Sequence, residues 1–128
     1  MKNKEIIQLA NGIQHCGSLK GVKLSYAIIK NSKTIQKAAE PINAAIENLK
    51  KEHAEKGKDG SPILKTEKDE NGKEVQFYDI RNMDAFKKDY DELMDVETEI
   101  SFHKVKKEEL PEDITTFQMQ TVIEFLED

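Results

Sequence analysis

An apolar seam of helical spacing runs through residues 24–49 and constrains the fold of this 128-residue chain more than any other feature. Its members alternate spacings of four and three: Leu24, Ile28, Asn31, Ile35, Ala38, Ile42, Ala45 and Leu49. Such a row lies along one edge of an α-helix and is typical of a helix that packs against another helix. The seam predicts a long helix that ends near Lys56 and has a helical partner.

Two residues of this predicted helix depart from an ordinary apolar seam. Asn31 is a polar member, of the kind that can fix the register of packing at some cost in stability. Pro41 has no backbone N–H to donate, so it predicts either a kink or two helices that meet at Ala39-Glu40.

Helical spacing predicts three further helices, over residues 4–15, 82–96 and 119–126. We expect the helix at 82–96 to return antiparallel along the seam. Thr115, followed three residues later by Gln118, is a capping box that begins the last helix.

Residues 61–79 are strand-like instead, because two β-prone runs flank Asn71-Gly72, a strong hairpin signal. Residues 99–105 alternate in polarity and would add a third strand. The alternative is that residues 57–74 form a mobile, charged loop. The predicted fold is a single α+β domain over residues 1–128, predominantly helical. It consists of an antiparallel helical hairpin, a small β-hairpin or three-stranded sheet, and a short C-terminal helix.

Composition bounds the location and the partners of the chain. No stretch approaches the roughly 20 apolar residues that a membrane span needs. Cys16 is the single cysteine, so no internal disulfide can form, and we expect a reducing cytoplasm. Residues 1–58 carry 11 Lys and 5 Glu, whereas residues 59–128 carry 9 Lys plus Arg and 20 Asp plus Glu. The two oppositely charged halves either compensate each other within the fold or meet different partners.

No motif with catalytic spacing is present in the sequence. His15 and Cys16 are adjacent, and neighbours on a helix point about 100° apart, which is unsuited to a nucleophile and its base. Residues 17–23 contain two glycines and a lysine, but the glycines are too close together for a phosphate-binding loop of the Walker type.

Metal-binding spacing is also missing. His53 and His103 are isolated, and zinc needs three or four ligands that converge. The acidic run at residues 89–99 lacks the central glycine of a calcium loop and is interpreted as a solvated helix face. We therefore predict no catalytic residue, no cofactor and no metal.

Two groups on the long helix are candidates for partner binding. The first is a lysine stripe on the outer side of the helix, either a solvated face or a nucleic-acid contact: Lys23, Lys30, Lys33 and Lys37. The overall acidity, the single arginine and the absence of aromatic platforms among the lysines argue against nucleic acid.

The second group lies opposite the seam and consists of Val22, Tyr26 and Ile29. With them, residues 22–29 are apolar nearly all round, which is typical of a helix that is buried on both sides. We expect the first and last helices to cover this second face. The alternative is an exposed apolar patch that binds a partner.

Two segments, Gly17–Asn31 and Glu99–Thr115, resemble small helical proteins encoded by bacteriophages and prophages. The shared features are a helix followed by a glycine joint, and a short strand followed by a Leu110-Pro111 turn and a closing helix. The resemblance implies no activity. It implies a phage product that acts inside an infected bacterium, in virion assembly or against a host defence.

These observations favour a non-enzymatic protein–protein interaction module of phage type, for example in virion assembly, located in the host cytoplasm or the virion. One alternative is an anti-defence inhibitor that binds a host immunity protein through the acidic C-terminal half. A second is a nucleic-acid-binding accessory protein that uses the lysine stripe. The expected partner is a phage or host protein, with a homo-oligomer as a further option and no membrane.

Overall fold

The computed structural model describes all 128 residues and has an α+β fold dominated by helices, as predicted. In chain order the elements are α1 (Asn3–Ile13), α2 (Val22–His53), β1 (Leu64–Lys68), β2 (Glu74–Tyr78), α3 (Met83–Met94) and α4 (Thr116–Val122). The chain divides into two compact units. Unit 1 comprises residues 1–42 and 95–128, and unit 2 comprises residues 43–94. The single domain expected from the sequence stays a prediction. None of the helices has the length and apolarity that a membrane crossing requires.

The core of unit 1 forms where α1, the first half of α2 and the C-terminal residues meet. Its largest side chains are fully buried and include Leu24, Ile35, Val122 and Phe125. Burial of each stabilises the fold by about 1.5–3 kcal/mol. Helices α1 and α4 pack closely because Gly12 has no side chain: a Cβ at Gly12 would overlap Thr121 Oγ1. The N-terminal end of α2 is therefore enclosed on its seam side.

Helix α2 is continuous through Pro41, so of the two alternatives given by the sequence, two helices that meet at Ala39-Glu40 are not formed. It ends at His53, earlier than the predicted Lys56. The buried row consists of Leu24, Ala27, Ile28, Asn31, Ile35, Ala39 and Ile42. Beyond Ile42 the seam residues Ala45 and Leu49 are only half-buried, so the seam forms a full core in unit 1 alone.

Residues 99–105 do not add a third strand to the sheet, which has two strands, so that prediction was wrong. Val105 donates its N–H to the Phe125 carbonyl (2.7 Å) and accepts from the Glu127 N–H (2.9 Å). These bonds form an isolated parallel bridge to the end of the chain, so the segment has no ladder of its own. The predicted capping box is confirmed: Thr115 Oγ1 accepts from the Gln118 N–H, and the Gln118 side chain accepts from the Thr115 N–H.

In unit 2 the predicted β-hairpin is confirmed, and the loop alternative for residues 57–74 is wrong over β1. Strands β1 and β2 pair antiparallel with Leu64 opposite Tyr78 and Lys68 opposite Glu74. The Asp69 N–H donates to the Lys73 carbonyl, which leaves a three-residue loop. Asp69 Oδ1 accepts from the N–H groups of Asn71 and Lys73, both at 2.9 Å. Gly72 has a φ of 78°, as the residue after a type I turn in such a loop requires.

Helix α3 completes unit 2 and forms the predicted helical hairpin with the end of α2. His53 Nε2 lies 2.8 Å from Asp89 Oδ2, and the His53 ring packs edge-on against Phe86. The β-hairpin of β1 and β2 is linked to α2 by a hydrogen bond in which the Tyr78 hydroxyl donates to Glu47 Oε1 at 2.7 Å. That hydrogen bond raises the pKa of Tyr78 above its ordinary value.

Candidate functional site

The second apolar face of α2 is exposed, so the expectation that α1 and α4 cover it was wrong. Val22 is 89% exposed, Tyr26 55% and Ile29 60%. The physical reason is that α1 and α4 contribute to the same core cluster as Leu24 and Ile28, on the seam side of α2. With both small helices on one side, the opposite side is open. The alternative given by the sequence, an exposed apolar patch, is the arrangement observed.

The lysine stripe lies on the same face as this patch. At about 100° per residue, Val22, Tyr26, Ile29 and the four lysines fall within about 120° of the helix circumference. All four lysines are exposed. Lys30 Nζ lies 5.8 Å from the centroid of the Tyr26 ring, within reach of a cation–π contact. We call the seven residues the α2 face: Val22, Lys23, Tyr26, Ile29, Lys30, Lys33 and Lys37.

A groove of about 430 Å³ borders the α2 face in unit 1. One wall is formed by Val22, Lys23 and Tyr26, and the other by residues 103–106 with Glu109 and Glu127. The His103 ring packs edge-on against Tyr26, with the two ring centroids 5.1 Å apart. Sequence reasoning did not place residues 103–106 at the site, because their alternating polarity was interpreted as a strand.

Asn31 holds this second wall in place. Its side chain is 1% exposed, its Nδ2 donates to the His103 carbonyl (2.9 Å), and its Oδ1 accepts from the His103 N–H (2.7 Å). Both polar ends of one buried amide are thus satisfied by one backbone residue. The sequence signal was a polar residue in an apolar seam, and it marked a contact with an irregular segment rather than with another helix.

The groove lining has one more basic side chain than acidic ones, not counting His103. Lys104 and Lys106 line it together with Lys23, against Glu109 and Glu127. Glu109 is engaged by Lys23 Nζ at 3.4 Å, so one lysine of the stripe contacts a carboxylate of the acidic half. Lys33 and Lys37 add further positive charge along α2 without an ion pair inside 4 Å.

The side chains of His15 and Cys16 do not contact each other. His15 packs edge-on against the Phe117 ring, with the centroids 4.9 Å apart. Cys16 is fully buried, and its Sγ lies 3.7 Å from the Gly12 carbonyl oxygen. Burial raises the pKa of the Cys16 thiol, which disfavours the reactive thiolate.

Four of the six acidic residues at 89–99 contact a basic group of their own unit: Asp89, Asp91, Asp95 and Glu97. In unit 1 Asp95 lies 3.5 Å from Lys2 Nζ and 3.7 Å from Lys4 Nζ, and Glu97 binds the N-terminal amine at 2.9 Å. In unit 2 Asp89 contacts His53. No group of three or more His, Cys, Asp or Glu residues is arranged to hold a metal ion.

A further groove, of about 680 Å³, lies within unit 2 between the hairpin, α3 and the end of α2. Its apolar lining includes Leu64, Phe77 and Met83, which are exposed. Its one buried charge, Asp79, is neutralised by Lys65 (3.3 Å) and Arg81 (3.5 Å). This groove was not predicted from the sequence.

Comparison with known proteins gives no match: no protein-family model, no curated protein and no solved structure is similar to this chain.

Proposed function

We propose that the chain is a non-enzymatic protein–protein interaction module whose binding surface is the α2 face with its adjoining groove. The observation that carries this proposal is the exposure of Val22, Tyr26 and Ile29 beside a groove of about 430 Å³. Contiguous exposed apolar surface with a polar rim generally marks an interface. A tyrosine at its centre supplies the kind of anchor that dominates binding energy at interfaces.

The chemistry of the surface supports one kind of protein partner. An apolar strip flanked by lysines on α2, and by Lys104 and Lys106 across the groove, complements a segment with apolar anchors and acidic flanks. An amphipathic helix laid along α2 would place its apolar residues against Tyr26 and Ile29. We therefore propose an acidic, amphipathic protein segment as the bound species.

The biological setting in this proposal comes from the resemblance of the chain to phage and prophage proteins. A small module that presents one helix face suits the joining of two proteins during virion assembly inside the infected cell. The partner in this proposal is a phage or host protein that carries such an acidic segment.

Nucleic acid is a second candidate for the same surface. It is favoured by the placement of Tyr26 among exposed lysines, because single-stranded nucleic acid is bound by an aromatic platform beside cations. The protein partner is preferred because Val22 and Ile29 are exposed beside Tyr26, and such aliphatic side chains suit apolar anchors of a protein rather than a phosphate backbone.

The acidic half provides less support for an inhibitor that imitates nucleic acid. The net charge of −5 is small for a mimic of a polyanionic backbone, and Asp79, Asp95 and Glu97 are each in contact with a lysine, an arginine or the N-terminal amine.

The test is selection from a display library of random peptides with this protein as bait. The selected peptides are expected to carry a net negative charge with apolar residues at helical spacing. Their binding should be weakened about thirtyfold or more by Ile29→Ser, since an anchor at an interface contributes about 2 kcal/mol.

The chain offers a matched control in Ile123→Ser. Ile123 is 57% exposed and Ile29 60%, so the two substitutions have the same chemistry and similar exposure. Binding that is lost equally in both variants, or in neither, would count against the α2 face. Preferential binding of single-stranded DNA, abolished when the four lysines become Gln, would favour the second candidate.

A further inference from the structure

The outer edge of β1 presents unpaired backbone groups. Hydrogen bonds across the hairpin join Asp69 to Lys73 and Asp79 to Ile63. In an antiparallel pair, bonded residues alternate along each strand. Residues 65 and 67 therefore bond inward to β2, and the N–H and C=O groups of Leu64, Thr66 and Lys68 point outward.

The side chains of this edge strand are complementary to a second copy of themselves. Two β1 strands can pair antiparallel about Thr66. In that register the residues whose backbone groups point outward lie opposite one another: Thr66 opposite Thr66, and Leu64 opposite Lys68. In the same register Lys65 of each copy lies opposite Glu67 of the other. The two Lys65–Glu67 pairs occupy the non-hydrogen-bonded positions, where cross-strand side chains are closest.

The hairpin itself needs support of this kind. Every residue of β1 and β2 except Tyr78 is exposed, and an isolated two-stranded hairpin is at best marginally stable in water. Charged side chains, lysine above all, and proline usually discourage pairing at an edge strand. β1 carries Lys65, Glu67 and Lys68, and of these Lys65 and Glu67 become oppositely charged neighbours when two copies pair antiparallel about Thr66.

We propose that two copies of this chain associate through β1, antiparallel about Thr66, to form a four-stranded sheet with a twofold axis. Two strands of five residues bury less surface than the roughly 1,200 Å² of a stable interface, so the dimer is weak and reversible. It is independent of the α2 face, which lies in unit 1. Two copies would present two such faces at once.

The test exploits the two ion pairs. Lys65→Glu places Glu opposite Glu in a pair of identical copies, and Glu67→Lys places Lys opposite Lys. Each variant alone is expected to dimerise about tenfold or more weakly than the unaltered protein in sedimentation equilibrium, because attraction becomes repulsion at two positions. An equimolar mixture of the two variants should recover association, since in a pair of unlike copies each Glu at these positions lies opposite a Lys.

Charge-matched controls are Lys58→Glu and Glu70→Lys, both exposed and outside the strands. They should leave dimerisation within about twofold of the unaltered protein, as expected for exposed charges away from the contact. Lys65→Glu also removes the Lys65 contact to Asp79, and Arg81 stays paired with Asp79 at 3.5 Å. Circular dichroism and amide spectra therefore have to establish that each variant retains the hairpin before association is compared. An unaltered protein that stays monomeric at millimolar concentration would overturn the proposal. Variants that dimerise fully alone, or a mixture that does not recover association, would overturn it equally.

Discussion

Asn31→Ala removes the buried amide that joins the core of unit 1 to the wall of the groove. The substitution deletes two hydrogen bonds to His103, of 2.7 and 2.9 Å, at a side chain that is 1% exposed. Each bond is worth about 0.5–1.5 kcal/mol, and the cavity left by the amide adds to the cost. Because His103 is itself exposed, water can reach its backbone groups after the change. We expect the free energy of unfolding to fall by about 2–4 kcal/mol.

The matched control is Asn43→Ala, an exposed asparagine in the same helix. Both variants gain the same helix propensity, about half a kcal/mol, so their difference isolates the burial and the hydrogen bonds. Urea denaturation followed by circular dichroism gives the two free energies of unfolding, and the amide resonance of His103 reports on the groove wall. Two variants that differ by less than about 0.5 kcal/mol, with the His103 amide unmoved, would refute the structural role of Asn31.

Three further outcomes follow from burial and contacts. Ile35→Ala, at a fully buried side chain, should lower the free energy of unfolding by about 2–5 kcal/mol, whereas Ile29→Ala on the exposed face should change it by no more than about 0.5 kcal/mol. Equal effects in urea denaturation would contradict the assignment of buried and exposed faces. Cys16 should react with a thiol reagent only after denaturation, and rapid reaction of the folded protein would contradict its burial. Glu47→Ala should lower the pKa of Tyr78 toward its ordinary value in an NMR titration, and an unchanged pKa would contradict the hydrogen bond. Because folding raises this pKa, the contact stabilises the fold below the ordinary tyrosine pKa and is lost as the pH rises through the raised value.

The helices and the hairpin were predictable because their signals are local. Spacing alone identified α1, α2, α3 and the capping box at Thr115, whose partners lie within four residues. The hairpin followed from Asn71-Gly72, although the turn depends on Asp69, whose carboxylate accepts the N–H groups of Asn71 and Lys73. Local hydrogen bonds of this kind are encoded in a few neighbouring residues.

The site was only partly predictable because its second wall is distant in sequence. The patch and the lysine stripe were each identified, yet Asn31 and His103 are 72 residues apart and no spacing rule connects them. Whether Val22, Tyr26 and Ile29 are covered depends on where α1 and α4 pack, which hydrophobic periodicity does not specify. The alternating polarity of residues 99–105 was ambiguous in the same way. An extended segment with one isolated bridge, here from Val105 to Leu126, has the same alternation as a strand within a sheet.

The most direct measurement of the central claim is site-specific photo-crosslinking on the α2 face. A benzophenone amino acid replaces Tyr26 in one variant and Phe117 in another; the two side chains have the same exposure, 55%, and both belong to unit 1. After irradiation in bacterial cells, the setting of the proposed function, mass spectrometry identifies the adducts. We predict a discrete protein adduct through an acidic segment at position 26 and none at position 117. No adduct at position 26, or the same adducts at both positions, would contradict the assignment of the α2 face as the binding surface.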